Sequence, residues 1–147
     1  MYLSIRDIDE NNWKEVIDLK VGNEQESFIE SNIYSIAESK VFDYWVPSAI
    51  YLDDNIIGFA MFGYVPCEDR VWLDRFMIDH KYQGKGYGKK ALLHILKHLS
   101  KKFNTNKVFL SIFEDNINAI ALYKKLGFKF NGELDFGGEK VMEISIN

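Results

Sequence analysis

The run Gln83-Gly84-Lys85-Gly86-Tyr87-Gly88-Lys89 constrains this chain more than any other stretch, because the residue pattern changes period across it. Residues 70–78 before it read as a strand ending in Phe76, Met77 and Ile78. After it, Ala91, Leu92, Ile95, Leu96 and Leu99 fall on a 3.6-residue stripe, with lysines, His94 and His98 on the other faces. Glycines between a strand and a helix let successive N–H groups point one way, and the helix N-terminus adds unpaired N–H groups and its positive dipole end. Such a junction suits a phosphate or pyrophosphate. Lys85 and Lys89 add positive charge at its mouth. The bland alternative is a flexible turn with solvated lysines. A P-loop needs Gly-Lys-Ser/Thr, whereas Gly88 precedes Lys89-Lys90. Gly86, Gly88 and Ala91 fit the loose dinucleotide pattern, but only about 60 residues follow, too few for a dinucleotide half-fold plus a substrate domain.

The rest of the chain fits a mixed sheet. A first strand is expected over 3–8 by alternation. A helix should follow through Trp13, Val16, Ile17 and Val21, capped by Asn11 or Asn12. A second helix is predicted over 26–39, with Ile29, Ile33, Ile36 and Ala37 on one stripe. Residues 49–52 and 56–64 form a hairpin about Asp53-Asp54-Asn55, and the strand over 70–78 completes a meander. Beyond the glycine-led helix lie a short strand over 108–113 and a helix through Ala119, Ile120, Tyr123 and Leu126, stopped by Gly127. A last hairpin spans 128–134 and 140–146, turning at Gly137-Gly138. The expected class is α/β: a largely antiparallel central sheet with one β–α–β crossover.

At 147 residues and 47% hydrophobic composition, one domain with its own core is expected over 1–147. The single cysteine, Cys67, cannot form an internal disulfide. No signal peptide and no apolar run of membrane-spanning length is visible, so a cytoplasmic location is expected. With 22 acidic against 18 basic residues the net charge is −4, which argues against a nucleic-acid partner. Basic residues concentrate over 81–107 and acidic ones over 7–54, favouring an anion at the first region and a cation at the second.

Gln83-x-x-Gly86-x-Gly88 after an apolar strand resembles the Q/R-x-x-G-x-G/A signature of the GNAT superfamily of acetyltransferases, and the element order matches that family from end to end. The resemblance implies that Gln83, Gly84, Lys85, Gly86, Tyr87, Gly88 and Lys89 bind the pyrophosphate of acetyl-CoA. It also implies that the backbone of Phe76, Met77 and Ile78, beside a β-bulge, pairs with the pantetheine arm. A second segment, Asn116-x-x-Ala119-x-x-x-Tyr123-x-x-x-Gly127-Phe128, is similar to the family's N-x-x-A-x-x-x-Y-x-x-x-G-F motif. By that likeness Asn116 and Ala119 contact the cofactor arm, and Tyr123 protonates the departing thiolate. The chemistry agrees: a phenol of pKa about 10 is protonated at neutral pH and can serve a thiolate of pKa near 8.5. A core aromatic is the competing reading of Tyr123, which shares a stripe with Ala119 and Leu126. One departure stands out, because Asp79-His80 occupies the place where many relatives carry a proline before the loop.

An attacking amine must be neutral, yet a lysine-type amine has a pKa near 10.4, so a carboxylate is needed to bind the cation and accept its proton. Asp74 is the candidate, since parity counting puts it on the face of Phe76 and Ile78. The alternative is an edge charge paired with Arg70 or Arg75. Arg70-Val-Trp-Leu-Asp-Arg-Phe76, Leu110-Ser-Ile-Phe-Glu114, residues 131–136, 138–142 and 27–31 resemble bacterial polyamine-acetylating members of the superfamily. That likeness implies a polyamine in an acidic channel, with Glu24, Glu26, Glu30, Asp74, Asp135 and Glu139 supplying charge. Another small amine, an aminoglycoside or a protein N-terminus remains an alternative acceptor, and a non-catalytic acyl-CoA sensor an alternative class. A homodimer is possible on this reading, and neither a membrane nor a metal is expected. His94 and His98 have no evident third ligand. Trp13, Trp45 and Trp72 are expected in the core or a pocket wall.

Overall fold

Strand β3 (Asn55–Val65) is apolar along most of its length, which requires cover on both faces of the sheet, and it is buried from Ile56 to Gly63. Residues 2–146 are described by a computed structural model, apart from the side chains of Glu24 and Ser27. In that structure β1 (Leu3–Asp7), β2 (Val46–Leu52), β3 and β4 (Arg70–Ile78) form an antiparallel series. Strand β5 (Lys107–Ile112) joins β4 in parallel, and β7 (Lys140–Ser145) lies between β5 and β6 (Lys129–Leu134). The sheet order is β1-β2-β3-β4-β5-β7-β6.

Among the described residues, four α-helices cover the two faces. Helix α3 (Tyr87–Phe103) buries the expected stripe of Ala91, Leu92, Ile95, Leu96 and Leu99 against Ile57, Ala60 and Phe62 of β3. Helix α4 (Ile117–Leu126) packs partly buried Ile120, Leu122 and Leu126 against the same cluster. On the opposite face, α1 (Trp13–Ile17) contributes Val16 and α2 (Asn32–Val41) contributes Ile36 to a cluster with Phe59, Met61 and Met77. Each fully buried side chain of this size stabilises the fold by about 1.5–3 kcal/mol relative to exposure.

The N-terminal helices correct three expectations. Helix 26–39 is two pieces: a 3-10 helix over Asn23–Phe28, extended backbone at Ile29, then α2. Ser31 causes the break, because its hydroxyl accepts the Tyr34 N–H at 3.1 Å and starts a new helix. The isoleucine stripe holds only in part, since Ile29 and Ile36 pack against the Phe59 cluster and Ile33 does not. Ile33 is 58% exposed, whereas Asn32 and Ser35 are buried. Their polar atoms are satisfied, since Asn32 Nδ2 donates to the Val16 carbonyl at 2.9 Å and Ser35 Oγ to the Ser31 carbonyl at 3.1 Å. Finally, α1 ends before Val21, and Asn12 precedes it without a side-chain cap. The Asn12 amide instead donates to the Asp7 carbonyl at 2.9 Å and the Tyr51 hydroxyl at 3.2 Å. Trp13 is largely exposed rather than core, while Trp45 is half-buried against the α1/α2 cluster.

Candidate active site

Strands β4 and β5 share a single registered pair, Trp72 with Phe109. Past that pair β4 is bonded to β3 on one side only, through Ile78. Its other edge therefore presents N–H and C=O groups to a cleft of about 1070 Å³, walled by residues 73–78 and 110–113. An extended ligand with amide groups can complete such an edge as an added strand. Phe76, Met77 and Ile78 all line this cleft, as do Gln83, Gly84, Gly88, Asn116 and Ala119.

The glycine loop closes one end. Gly84 (φ +78°) and Gly86 (φ +83°) sit in the left-handed region, and a Cβ at either would meet nothing within 4 Å. Gly86 caps α3, a helix of 17 residues, so first-turn amides and the dipole face the same opening. Gln83 ties the loop down, donating through Nε2 to the Ile78 carbonyl at 2.8 Å and to Gln25 Oε1 at 3.0 Å. These features fit a pyrophosphate group. Lys85, Gly86 and Lys89 lie outside the cleft wall, and Tyr87 lines a separate small hollow with Tyr2, Leu52 and Leu93. Asp79, in the place of the family's proline, organises the approach to the loop. Its carboxylate accepts the Lys20 N–H at 2.9 Å, and the His80 N–H donates to the Lys20 carbonyl at 2.8 Å.

Helix α4 brings Tyr123 to the same cleft. The ring stands edge-on to Phe128 at 5.5 Å, and the hydroxyl makes no hydrogen bond to another described residue. Burial pushes its pKa well above the ordinary phenol value, so the hydroxyl keeps its proton across the neutral range. Asn116 precedes α4 without using its side chain as a cap, which leaves the amide for the cleft.

Asp74 occupies an irregularity in the sheet. Met61 stands opposite Arg75 and Phe62 opposite Leu73, so Asp74 is the extra residue on β4. Val71, Leu73 and Ile78 share the α3-side core and Phe76 packs against it, and with a register slip between Leu73 and Arg75 even spacing along β4 does not by itself put Asp74 on the face of Phe76 and Ile78. Asp74 Oδ2 accepts from Arg75 Nη1 at 2.7 Å, and Arg75 Nη2 reaches Glu38 Oε1 of α2 at 3.2 Å. Arg70 instead forms a two-pronged pair with Glu133 at 2.8 and 2.9 Å. Burial raises the Asp74 carboxyl to about 6, Arg75 opposes the rise, and Glu38 and Asp135 add to it. Across the cleft, Asp135 Oδ1 accepts the Gly137 and Glu139 N–H groups, each at 2.9 Å, and shapes the β6–β7 turn. Burial, then the neighbouring Asp135, lifts the Glu139 carboxyl to about 7. Glu26 and Glu30 line the wall beside Ile29, while the side chain of Glu24 lies outside the described residues.

The family profile described as Acetyltransferase (GNAT) family matches residues 5–128. The chain belongs to that family. It is an N-acetyltransferase with acetyl-CoA as its co-substrate. It is 45% identical over 148 residues to a spermine/spermidine N(1)-acetyltransferase of Bacillus subtilis (strain 168), covering 97% of each chain. Among solved structures it resembles a spermidine N-acetyltransferase of Vibrio cholerae in complex with CoA and spermine, with TM-score 0.75 and 19% identity over 97% of this chain and 95% of that one. It also resembles a PaiA N-acetyltransferase of Thermoplasma acidophilum in complex with coenzyme A, with TM-score 0.71 and 21% identity over 99% of both chains. The last two likenesses establish the fold.

In this acetyltransferase the pairing of Asp74 with Arg75, one of the two alternatives read from the sequence, is present, whereas sequence reasoning missed two groups at the site: Asp115 on the cleft wall, and Glu38 behind Arg75. Asp115 sits next to the recognised Asn116, whereas Glu38 is 37 residues from Arg75 and carries no local signal. Among the described residues no group of three His, Cys, Asp or Glu could hold a metal, and no helix is long and apolar enough to cross a membrane. The loop yields one prediction. A side chain at Gly86 is strained at φ +83°, so Gly86→Val tilts the first turn of α3 away from its present aim. Calorimetry should show CoA affinity reduced about tenfold, on the roughly 1–2 kcal/mol scale of left-handed strain. Unchanged affinity in the folded variant removes the loop from the site.

Proposed function

We propose that this acetyltransferase moves the acetyl group of acetyl-CoA onto a primary amine of a polyamine such as spermine or spermidine, by direct attack in a ternary complex. The observation that carries the reading is the composition of one cleft. Six carboxylates, from Glu26, Glu30, Asp74, Asp115, Asp135 and Glu139, line it together with Tyr123 and the edge of β4. A chain of ammonium groups is the complementary ligand. The 45% identity to the Bacillus subtilis spermine/spermidine acetyltransferase supports the same acceptor.

Bound acetyl-CoA supplies a thioester carbon to the amine and departs as a thiol. Asp74, at about 6, is ionised at neutral pH, holds the ammonium and takes its proton, directly or through water. Tyr123, kept protonated by burial, delivers its proton to the sulfur, and the second amine proton, released from nitrogen as the amide forms, restores the phenol. The edge of β4 orients the cofactor arm, and the Gly84–Gly88 loop receives the phosphates. The acidic wall binds the distal ammonium groups.

Several ammonium groups held by several carboxylates imply salt-sensitive affinity, because charge is screened over about 10 Å at 0.1 M salt. Spermine and spermidine should show KM values at least about tenfold below a monoamine of similar reach at low salt, converging at high salt. Initial rates across an acceptor panel test this. A monoamine that matches spermidine in kcat/KM at low salt contradicts the acidic-channel reading and leaves an acetyltransferase of other acceptor.

A further inference from the structure

Among the described residues lining the cleft, Arg75 is the one cation, set against six carboxylates. A fixed positive charge repels a cationic substrate, so its presence there needs a reason. We propose that Arg75 is a positioning residue for Asp74: its guanidinium, anchored by Glu38 of α2, fixes the Asp74 carboxylate and keeps it ionised for the incoming ammonium. The inference rests on the assignment of Asp74 to the amine.

The geometry is that of a clamp. Arg75 Nη1 donates to both the Asp74 carboxylate, at 2.7 Å, and the Asp74 backbone carbonyl, at 3.1 Å. It therefore grips the side chain and the backbone of the irregular residue at once. Nη2 spans to Glu38 Oε1 at 3.2 Å, which ties this point of the sheet to α2. Nε is buried with no hydrogen-bond partner, a desolvation cost that the contacts of the two Nη groups with carboxylates must offset. With two carboxylates around one guanidinium the trio keeps one net negative charge, so the substrate still meets an attractive site.

Two charged neighbours act against ionisation of Asp74: Glu38 faces it from α2 and Asp135 from the β6–β7 turn. Glu139 of that turn and Tyr44 after α2 also face it, and Asp74 in turn raises the pKa of each. Burial acts in the same direction and is the largest influence, and Arg75 alone opposes them. Loss of that charge shifts Asp74 toward its protonated form at neutral pH, a form that neither pairs with an ammonium nor accepts its proton. An Arg beside a carboxylate lowers its pKa by about 1–3 units, and removing it reverses that effect.

The test compares Arg75→Gln, which keeps hydrogen-bonding capacity without charge, with Arg75→Lys, which keeps charge without the fork. Thermal melts confirm that each is folded. Carboxyl NMR follows the titration midpoint of Asp74 in the free protein, and kcat/KM is measured from pH 5 to pH 9. In Arg75→Gln the Asp74 midpoint should rise by about 1–2 units. The acid limb of kcat/KM should rise with it, so the loss is roughly 3- to 25-fold greater at pH 6.5 than at pH 9. In Arg75→Lys both should stay near the unmodified protein. An Asp74 midpoint that stays put in Arg75→Gln, or moves equally in both variants, overturns the inference. A midpoint that rises while the kcat/KM limb stays fixed supports the electrostatic control and instead overturns the assignment of Asp74 to the amine.

Discussion

Replacing Tyr123 with Phe lowers kcat by roughly 10²-fold while acetyl-CoA still binds, because only the proton donor is removed. The ring can keep its contact with Phe128, and the hydroxyl has no hydrogen bond to another described residue to lose, so the fold should be indifferent to the change. Single-turnover kinetics with CoA affinity measured alongside separates the possibilities. Full turnover in the variant means that another group or water protonates the thiolate. A raised KM for acetyl-CoA with kcat intact makes Tyr123 a binding residue instead.

The other large effect is expected at Asp74. Asp74→Asn preserves shape but removes both the cation's partner and the proton acceptor, so kcat/KM should fall by about 10²- to 10⁴-fold for every amine. The sign of the pH dependence follows from the same group. With its carboxyl at about 6, Asp74 loses its charge as pH falls through that value, and activity falls with it. In Asp74→Asn that acid limb should vanish from the kcat/KM profile. A limb that persists unchanged, with activity near that of the unmodified chain, assigns the role to another carboxylate. Glu139, at about 7 on the facing turn, is then the next group to test.

Local signals made the centre of the molecule readable in advance. The change of period at Gly84–Gly88 fixed a strand–turn–helix unit, and the two left-handed glycines in the structure are what that spacing requires. Gly127, at φ +112°, ends α4 for the same reason. What escaped was set by interactions distant in sequence or by competing local bonds. The Ser31 hydroxyl outcompetes helix continuation, splitting a segment whose isoleucine spacing alone reads as one helix. The register slip at Asp74 involves no glycine or proline and arises from pairing with β3, so counting along β4 could not foresee it. The last two strands read correctly as a hairpin, but the insertion of β7 between β5 and β6 depends on pairing that neither strand announces. The carboxylates of the cleft come from the segment before α2, from β4, from the approach to α4 and from the β6–β7 turn. Residue type suggested most of them, and only the fold brings them together.

A cleft that joins acetyl-CoA to a polyamine couples loss of the thiol to acetylation of the amine. The direct measurement is a single reaction with acetyl-CoA and spermidine in which free thiol and acetylated spermidine are quantified together. One thiol should be released per acetyl group transferred, with negligible release when the amine is omitted. Tight CoA binding with no acetylated amine, or thiol release that leaves the amine unmodified, contradicts it.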